Sequence, residues 1–178
     1  MNNLLKAAWF CLVAGATAGC DPGAKPGVFA RREAPLEIRG YSLGMSERAV
    51  LQHGTNSCYT PPGKLDADRI CSVSTNVAAQ PALMFFYFYG GTLGKLALTI
   101  LPDHGHLSEV NRIFAEEFET KYGKPSADNS LSVIWSRGGG AIAINRGDER
   151  TMTVNLVSDA YESEKTRRAK AAGRGIEI

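Results

Sequence analysis

The sequence has little of what several functional classes require. Three histidines and no cluster of acidic residues provide few ligands for a metal site, so no metal or other cofactor is expected. The net charge is only +2, and lysine and arginine are scattered except near the C-terminus, which disfavours a nucleic-acid partner. The apolar stretch near the N-terminus is shorter than the roughly 18 residues of a membrane-spanning helix. What is left is the composition of an ordinary folded domain, 44% hydrophobic.

The first twenty residues have the layout of a secretory signal. Lys6 and the free amine form a small positive region, which precedes an apolar stretch of about ten residues ending at Ala16. The segment closes with Ala16-Thr17-Ala18-Gly19-Cys20, which resembles the lipobox of bacterial lipoproteins. This resemblance implies that Cys20 is acylated and becomes the new N-terminus. The same residues also satisfy an ordinary signal peptidase, which would release a secreted protein with an unpaired Cys20.

The number of cysteines favours the lipid. Cys11 lies in the part that a signal peptidase removes, and Cys58 and Cys71 can pair in an oxidising compartment. Cys20 is then left over unless it carries lipid. A bridge between Cys58 and Cys71 would close a loop of about fourteen residues and stabilise the fold by roughly 3 kcal/mol. The alternative, a redox dithiol, is disfavoured by the wide spacing of the two thiols.

These features predict four segments. Residues 1–19 form a signal peptide, and residues 20–34, which contain proline and glycine without apolar periodicity, form a lipidated tether. Residues 35–158 form a single domain. Residues 159–178 form a basic C-terminal tail without an apolar stripe, expected to be frayed and exposed. This tail is either merely solvated or attracted to an anionic lipid surface or an acidic partner. The lipid would hold the domain on the periplasmic side of a bacterial membrane, and the sequence does not decide between inner and outer membrane.

One β-hairpin is predicted at the centre of the domain. Two apolar runs flank Gly90-Gly91, and two glycines suit a two-residue turn in which both residues take positive φ. Strict alternation from this turn divides the hairpin into two faces. The first face would carry Leu83, Phe85, Tyr87, Leu96, Leu98 and Ile100. The second would carry Met84, Phe86, Phe88, Leu93, Lys95, Ala97 and Thr99.

The expected fold class is α+β, an antiparallel sheet with two helices packed on one face. Ser46 can cap a helix at 46–53, and residues 108–122 place Val110, Phe114 and Phe118 on one apolar stripe. The order β-α-β-β-β-α-β-β-β suggests two related halves, each a helix followed by a meander. We expect the long helix to pack on the first face of the hairpin. The second face would then be open, and its interaction patch would be Met84, Phe86, Phe88 and Leu93.

A short motif resembles two known groups of binding proteins. Leu43-Gly44-Met45-Ser46, then Val50-Leu51 and Gly54, precede a strand pair with a Gly-Gly turn. Over residues 36–101 this is similar to the small accessory lipoproteins of the outer-membrane β-barrel assembly machine, and to the helix-and-meander repeats of β-lactamase inhibitor proteins. The resemblance implies an interaction role in the cell envelope without catalysis.

The sequence therefore predicts a non-catalytic envelope lipoprotein that acts as a protein-binding or assembly module, with another envelope protein as its partner. The alternatives are a periplasmic carrier of a small apolar ligand and an unrecognised enzyme. No pattern brings together a nucleophile with a base, a carboxylate pair or a metal triad. His104 and His106 are separated by one glycine and are expected to lie in a polar loop rather than to bind metal.

Overall fold

The protein has an α+β fold, an antiparallel sheet with helices packed on it, as expected from the sequence. A computed structural model describes residues 34–54, 57–101, 107–146 and 151–173. The predicted signal peptide, Cys20 and the tether up to residue 33 lie outside these ranges, as do His104 and His106. No helix in the described ranges is both long enough and apolar enough to cross a bilayer.

Ten strands and three α-helices follow one another in the described residues. In chain order they are β1 (Glu37–Ile38), β2 (Tyr41–Ser42), α1 (Glu47–Leu51), β3 (Ser57–Tyr59), β4 (Arg69–Val77), β5 (Gln80–Tyr89), β6 (Thr92–Ile100), α2 (Leu107–Tyr122), β7 (Ala127–Asp128), β8 (Ser132–Arg137), β9 (Gly140–Arg146), β10 (Met152–Ser158) and α3 (Asp159–Ala171). The first two strands pair only with each other. The other eight form one sheet in the order β3-β4-β5-β6-β10-β9-β8-β7.

The sheet is built from two halves of the same plan. In each half a helix is followed by four antiparallel strands, α1 by β3 to β6 and α2 by β7 to β10. The last strands of the two halves, β6 and β10, pair with each other at the centre of the sheet. Each half has one more short strand than the predicted meander, β3 in the first and β7 in the second.

Both predicted helices form where their sequence signals lie. The Ser46 side chain accepts a hydrogen bond from the amide of Ala49 at 3.2 Å and so caps α1, whose Val50 is fully buried. The apolar stripe of α2 is buried as predicted, and the helix ends at Gly123, which adopts positive φ. Its aromatic residues pack on the second half of the sheet, where the rings of Phe118 and Trp135 lie 5.5 Å apart.

The central hairpin forms with its predicted turn, but its register shifts by one residue. Gly90 and Gly91 both have positive φ, and Phe88 pairs with Leu93 as expected. Beyond that pair, Tyr87 lies opposite Lys95, so Gly94 is an extra residue in β6. Because side chains alternate with a period of two, this β-bulge moves every later residue of β6 to the other face of the hairpin.

The bulge overturns the predicted interaction patch. Met84, Phe86, Phe88 and Leu93 are 2%, 0%, 0% and 1% exposed, so their prediction as an exposed surface is wrong. The shift brings Leu96, Leu98 and Ile100 onto the same face, and all seven residues belong to the main hydrophobic core. The prediction that α2 packs on the first face of the hairpin is also wrong. The hairpin's core face is instead approached by the small β1–β2 pair, with the rings of Tyr41 and Phe86 4.7 Å apart.

The C-terminal segment differs from the predicted frayed tail. Residues Asp159–Ala171 form α3, whose N-cap is Ser158, hydrogen-bonded to the amide of Tyr161 at 3.0 Å. Tyr161 is buried against the rings of Tyr87 and Tyr89, whose side chains point away from the main core. A single buried aromatic residue thus replaces the apolar stripe that a docked helix usually shows. The helix belongs to the same compact unit as the sheet.

Candidate interaction surface

Among the helices that the structure describes, none lies over most of one face of the sheet. Val50 and the apolar stripe of α2 pack into the main core on the opposite face, and α3 covers only the end near the Gly90-Gly91 turn. We call the uncovered side the open face. The face that the sequence predicted to be open is the buried one, because the bulge at Gly94 had no visible signal in the residue pattern.

Cross-strand register defines the open face as two rows of side chains that run across the sheet. The first row is Ser72, Phe85, Ala97, Asn155, Ala143 and Ile134. The second row is Ser74, Leu83, Thr99, Thr153, Asn145 and Ser132. None of these residues is charged, although charged residues make up 21% of the chain. Depletion of charge around aromatic and aliphatic side chains is typical of the central part of a protein interface.

A lysine borders these rows on the side of α3. Lys95 lies opposite Tyr87 in β5 and Val157 in β10, and its ammonium is 5.0 Å from the centroid of the Tyr87 ring. Burial and the neighbouring Lys165 lower the pKa of Lys95, against a smaller opposite effect of Glu162 and Asp66. Lys165 itself pairs with Asp66 at 3.5 Å. Lys95 forms no ion pair or hydrogen bond with the residues that the structure describes.

The end of the open face is closed by α3 through an ion-pair cluster. Arg168 pairs with Asp68 at 2.8 Å and with Glu164 at 2.7 Å, and its guanidinium lies 4.2 Å from the centroid of the Tyr89 ring. Asp68 also accepts a hydrogen bond from the amide of Gly90. Hydrogen bonds from Arg168 and from this amide lower the pKa of Asp68. The cluster joins α3 to the segment before β4 and to the hairpin turn.

The same cluster pairs basic residues of the C-terminal segment with acidic groups. Hydrogen bonds from Arg167 and Arg168 lower the pKa of Glu164 to about 2, so these groups neutralise one another in neutral solution. Lys165 is paired as well. The segment therefore carries less unpaired positive charge than its sequence indicates. This weakens the predicted attraction to an anionic surface.

At each edge of the sheet, one backbone group is already hydrogen-bonded to a side chain. Beyond the two-residue strand β7, the hydroxyl of Ser126 accepts a hydrogen bond from the amide of Ser136 at 3.2 Å, as a carbonyl of a neighbouring strand would. At the other edge, Arg39 donates to the carbonyl of Asn76 at 2.9 Å. These contacts occupy groups that an added strand would use, which favours the open face over the edges as a contact surface.

Cys58 and Cys71 form the predicted disulfide. They lie directly opposite each other in β3 and β4, with their Cα atoms 4.0 Å apart. Close Cα approach is characteristic of a non-hydrogen-bonded antiparallel pair, and the bridge fixes the three-residue strand β3 to its neighbour. The disulfide has a structural role, since Cys71 is fully buried.

A cavity of about 380 Å³ lies beside the N-terminal turn of α3. Its apolar lining includes Leu43, Tyr89, Leu93 and Tyr161, and Glu164 also lines it. Among the residues that the structure describes, no group of three or more histidine, cysteine or acidic residues is arranged to hold a metal ion.

Comparisons of the chain with protein-family models, with curated proteins and with solved structures found no match.

Proposed function

We propose that this chain is a non-catalytic lipoprotein of the bacterial cell envelope that binds another protein through the open face of its sheet. The observation that carries the proposal is the uncharged face, in which Leu83 and Phe85 stand among serine, threonine, asparagine and alanine. Leu83 is 36% exposed and lies two positions before the half-buried Phe85 on the same face of β5, so the two side chains form one apolar patch. The resemblance to envelope binding modules supports the same role.

Two further features support an envelope location. The disulfide between Cys58 and Cys71 is of a kind that persists in oxidising compartments. The N-terminal sequence that ends at Cys20 supports a lipid anchor, which would keep the open face within reach of the membrane.

Photo-crosslinking in intact cells tests the contact surface. Leu83 is replaced by the photoreactive residue p-benzoylphenylalanine, and Ile113 serves as the matched control. Ile113 is 37% exposed, nearly the same as Leu83, but it belongs to α2 on the other side of the sheet. We expect irradiation to join one defined envelope protein to position 83 and not to position 113. Equal labelling at both positions, or none at position 83, would contradict the proposal.

Mass spectrometry of the membrane fraction tests the anchor. We expect a mature N-terminus at Cys20 that carries acyl chains, and release of a Cys20→Ala variant from the membrane. A mature chain with a free Cys20 thiol would show instead that the protein is secreted without lipid.

The cavity beside α3 favours a second candidate, carriage of a small apolar ligand. Its volume of about 380 Å³ and its lining of aliphatic and aromatic side chains suit a molecule of a few rings. N-phenyl-1-naphthylamine, a neutral apolar probe, should then become fluorescent on binding. A Leu43→Trp substitution should fill the cavity and abolish this signal, while the control Leu131→Trp, at a site 73% exposed, should leave it intact.

A further inference from the structure

Lys95 is the charged residue at the margin of an otherwise uncharged surface. Its neighbours in the same cross-strand row are Tyr87 and Val157, and the adjoining row includes Phe85 and Ala97. The ammonium lies over the Tyr87 ring, so one side of it already faces an aromatic surface. Burial within this chain has removed part of its water.

A partner that covers the open face would remove more of that water. An ammonium buried without a counter-charge costs free energy, and the cost rises as the surroundings become less polar. Among the described residues, the acidic groups whose charge acts on Lys95 do not supply this counter-charge. Asp66 is paired with Lys165, and neither Asp66 nor Glu162 is within ion-pair distance of Lys95.

We propose that the protein partner of the open face places an aspartate or glutamate carboxylate against Lys95. This inference rests on the proposed function, since it names the chemistry of the partner at that same surface. Within the described part of the chain, Lys95 has no ion-pair partner, and a single positive charge of this kind matches a single carboxylate. The remaining contact would be made by neutral side chains against Leu83, Phe85 and their row neighbours.

The arrangement predicts the kind of specificity that the partner shows. The neutral rows tolerate many small or aromatic contacts, but a partner without the acidic residue would leave the Lys95 ammonium buried and unpaired. Lys95 would discriminate strongly against such a partner, because only the complex without the acidic residue carries the free-energy cost of an unpaired buried ammonium. Lys95 therefore selects the partner and fixes its register on the sheet.

Zero-length crosslinking tests this directly. A carbodiimide activates a carboxylate and lets a lysine that touches it form an isopeptide bond, with loss of water to the reagent, which becomes a urea. We expect treatment of intact envelopes to give an isopeptide between Lys95 and an aspartate or glutamate of the protein that crosslinks to position 83. Lys165, paired with Asp66, is the internal control and should couple within the chain.

Substitutions complete the test. Lys95→Gln should lower crosslinking from position 83 by about tenfold or more, as expected when one member of a buried charge pair is removed. Lys95→Arg should retain most of it, because the charge is kept. Lys124→Gln, at an exposed lysine between α2 and β7 and outside both rows of the open face, is the control for loss of one positive charge and should leave the yield unchanged.

The possible outcomes distinguish the carboxylate contact at Lys95 from the proposed function of the open face. Partner capture at position 83 with no isopeptide at Lys95 and no effect of Lys95→Gln would overturn the carboxylate contact and leave the contact surface standing. Loss of specific capture at position 83 in the unsubstituted Lys95 background would overturn the proposed function itself. An isopeptide from Lys95 to a carboxylate of this chain would also overturn the inference.

Discussion

Tyr161 of α3 lies directly against Gly94 of β6. A Cβ atom added at Gly94 would be 2.9 Å from Cδ2 and 3.0 Å from Cβ of Tyr161. Gly94 is also the extra residue of the β-bulge that sets the faces of the central hairpin. One glycine thus serves both the register of the sheet and the docking of the C-terminal helix.

Replacing Gly94 with alanine should destabilise the protein by about 1–3 kcal/mol, because the new methyl group overlaps a buried ring that has little room to move. The measurement is the free energy of unfolding in denaturant. Without the clash, alanine in place of glycine would instead stabilise the chain by about 0.4–1 kcal/mol through the unfolded state.

The control for this prediction is a double-mutant cycle with Tyr161→Ala. That substitution alone should cost about 3–5 kcal/mol and expose the amides of α3 to hydrogen exchange, since it empties the contact that holds the helix. In its background, Gly94→Ala should lose most of its penalty. Equal penalties in both backgrounds would mean that the two residues do not interact.

Which face of the central hairpin is buried can be tested with two neighbouring phenylalanines of β5. Phe86 is fully buried in the core, while Phe85 is half-buried on the open face. We expect Phe86→Ala to cost about 3–5 kcal/mol of unfolding free energy and Phe85→Ala about 1 kcal/mol. The reverse order would mean that the face of the hairpin carrying Phe85 is the buried one, as the sequence predicts.

The disulfide should contribute about 3 kcal/mol, as expected for a short closed loop in the chain-entropy model. A Cys58→Ala/Cys71→Ala double variant should lose about this amount in a denaturant titration. Dithiothreitol should destabilise the wild-type protein and leave the double variant unchanged. A response of the variant to reductant would point to a different cause.

Acid should loosen the docking of α3. Asp68 and Glu164 both have lower pKa values in the folded protein than in the unfolded chain, so folding favours their charged forms. The stability that they add is complete above their ordinary pKa values near 4, and it is lost as the pH falls toward about 2. Exchange of the α3 amides should therefore accelerate over this range.

An Asp68→Asn/Glu164→Gln variant is the control for the acid prediction. It lacks both carboxylates, so its α3 should be less protected at neutral pH and should depend less on pH between about 4.5 and 2. The remaining carboxylates contribute equally to both proteins. Parallel pH profiles would exclude a role for this cluster.

The local structure of the chain was largely predictable from its sequence. Ser46 as a helix cap, the stripe of α2, the Gly90-Gly91 turn and the Cys58–Cys71 bridge all formed as predicted. Each depends on residues close in the chain or on a simple pairing rule, so local chemistry is enough. The α+β class and the two halves follow from the same signals.

The choice of faces was decided by the tertiary structure. Both faces of β5 are rich in apolar and aromatic residues, so alternation could not tell which one was buried, and Gly94 gave no sign that it was an extra residue. The docking of α3 was likewise hidden, because it depends on Tyr161 finding the space that Gly94 leaves. The sequence alone thus determined which segments are strands and helices, while long-range packing at one glycine decided which side of the sheet is left open.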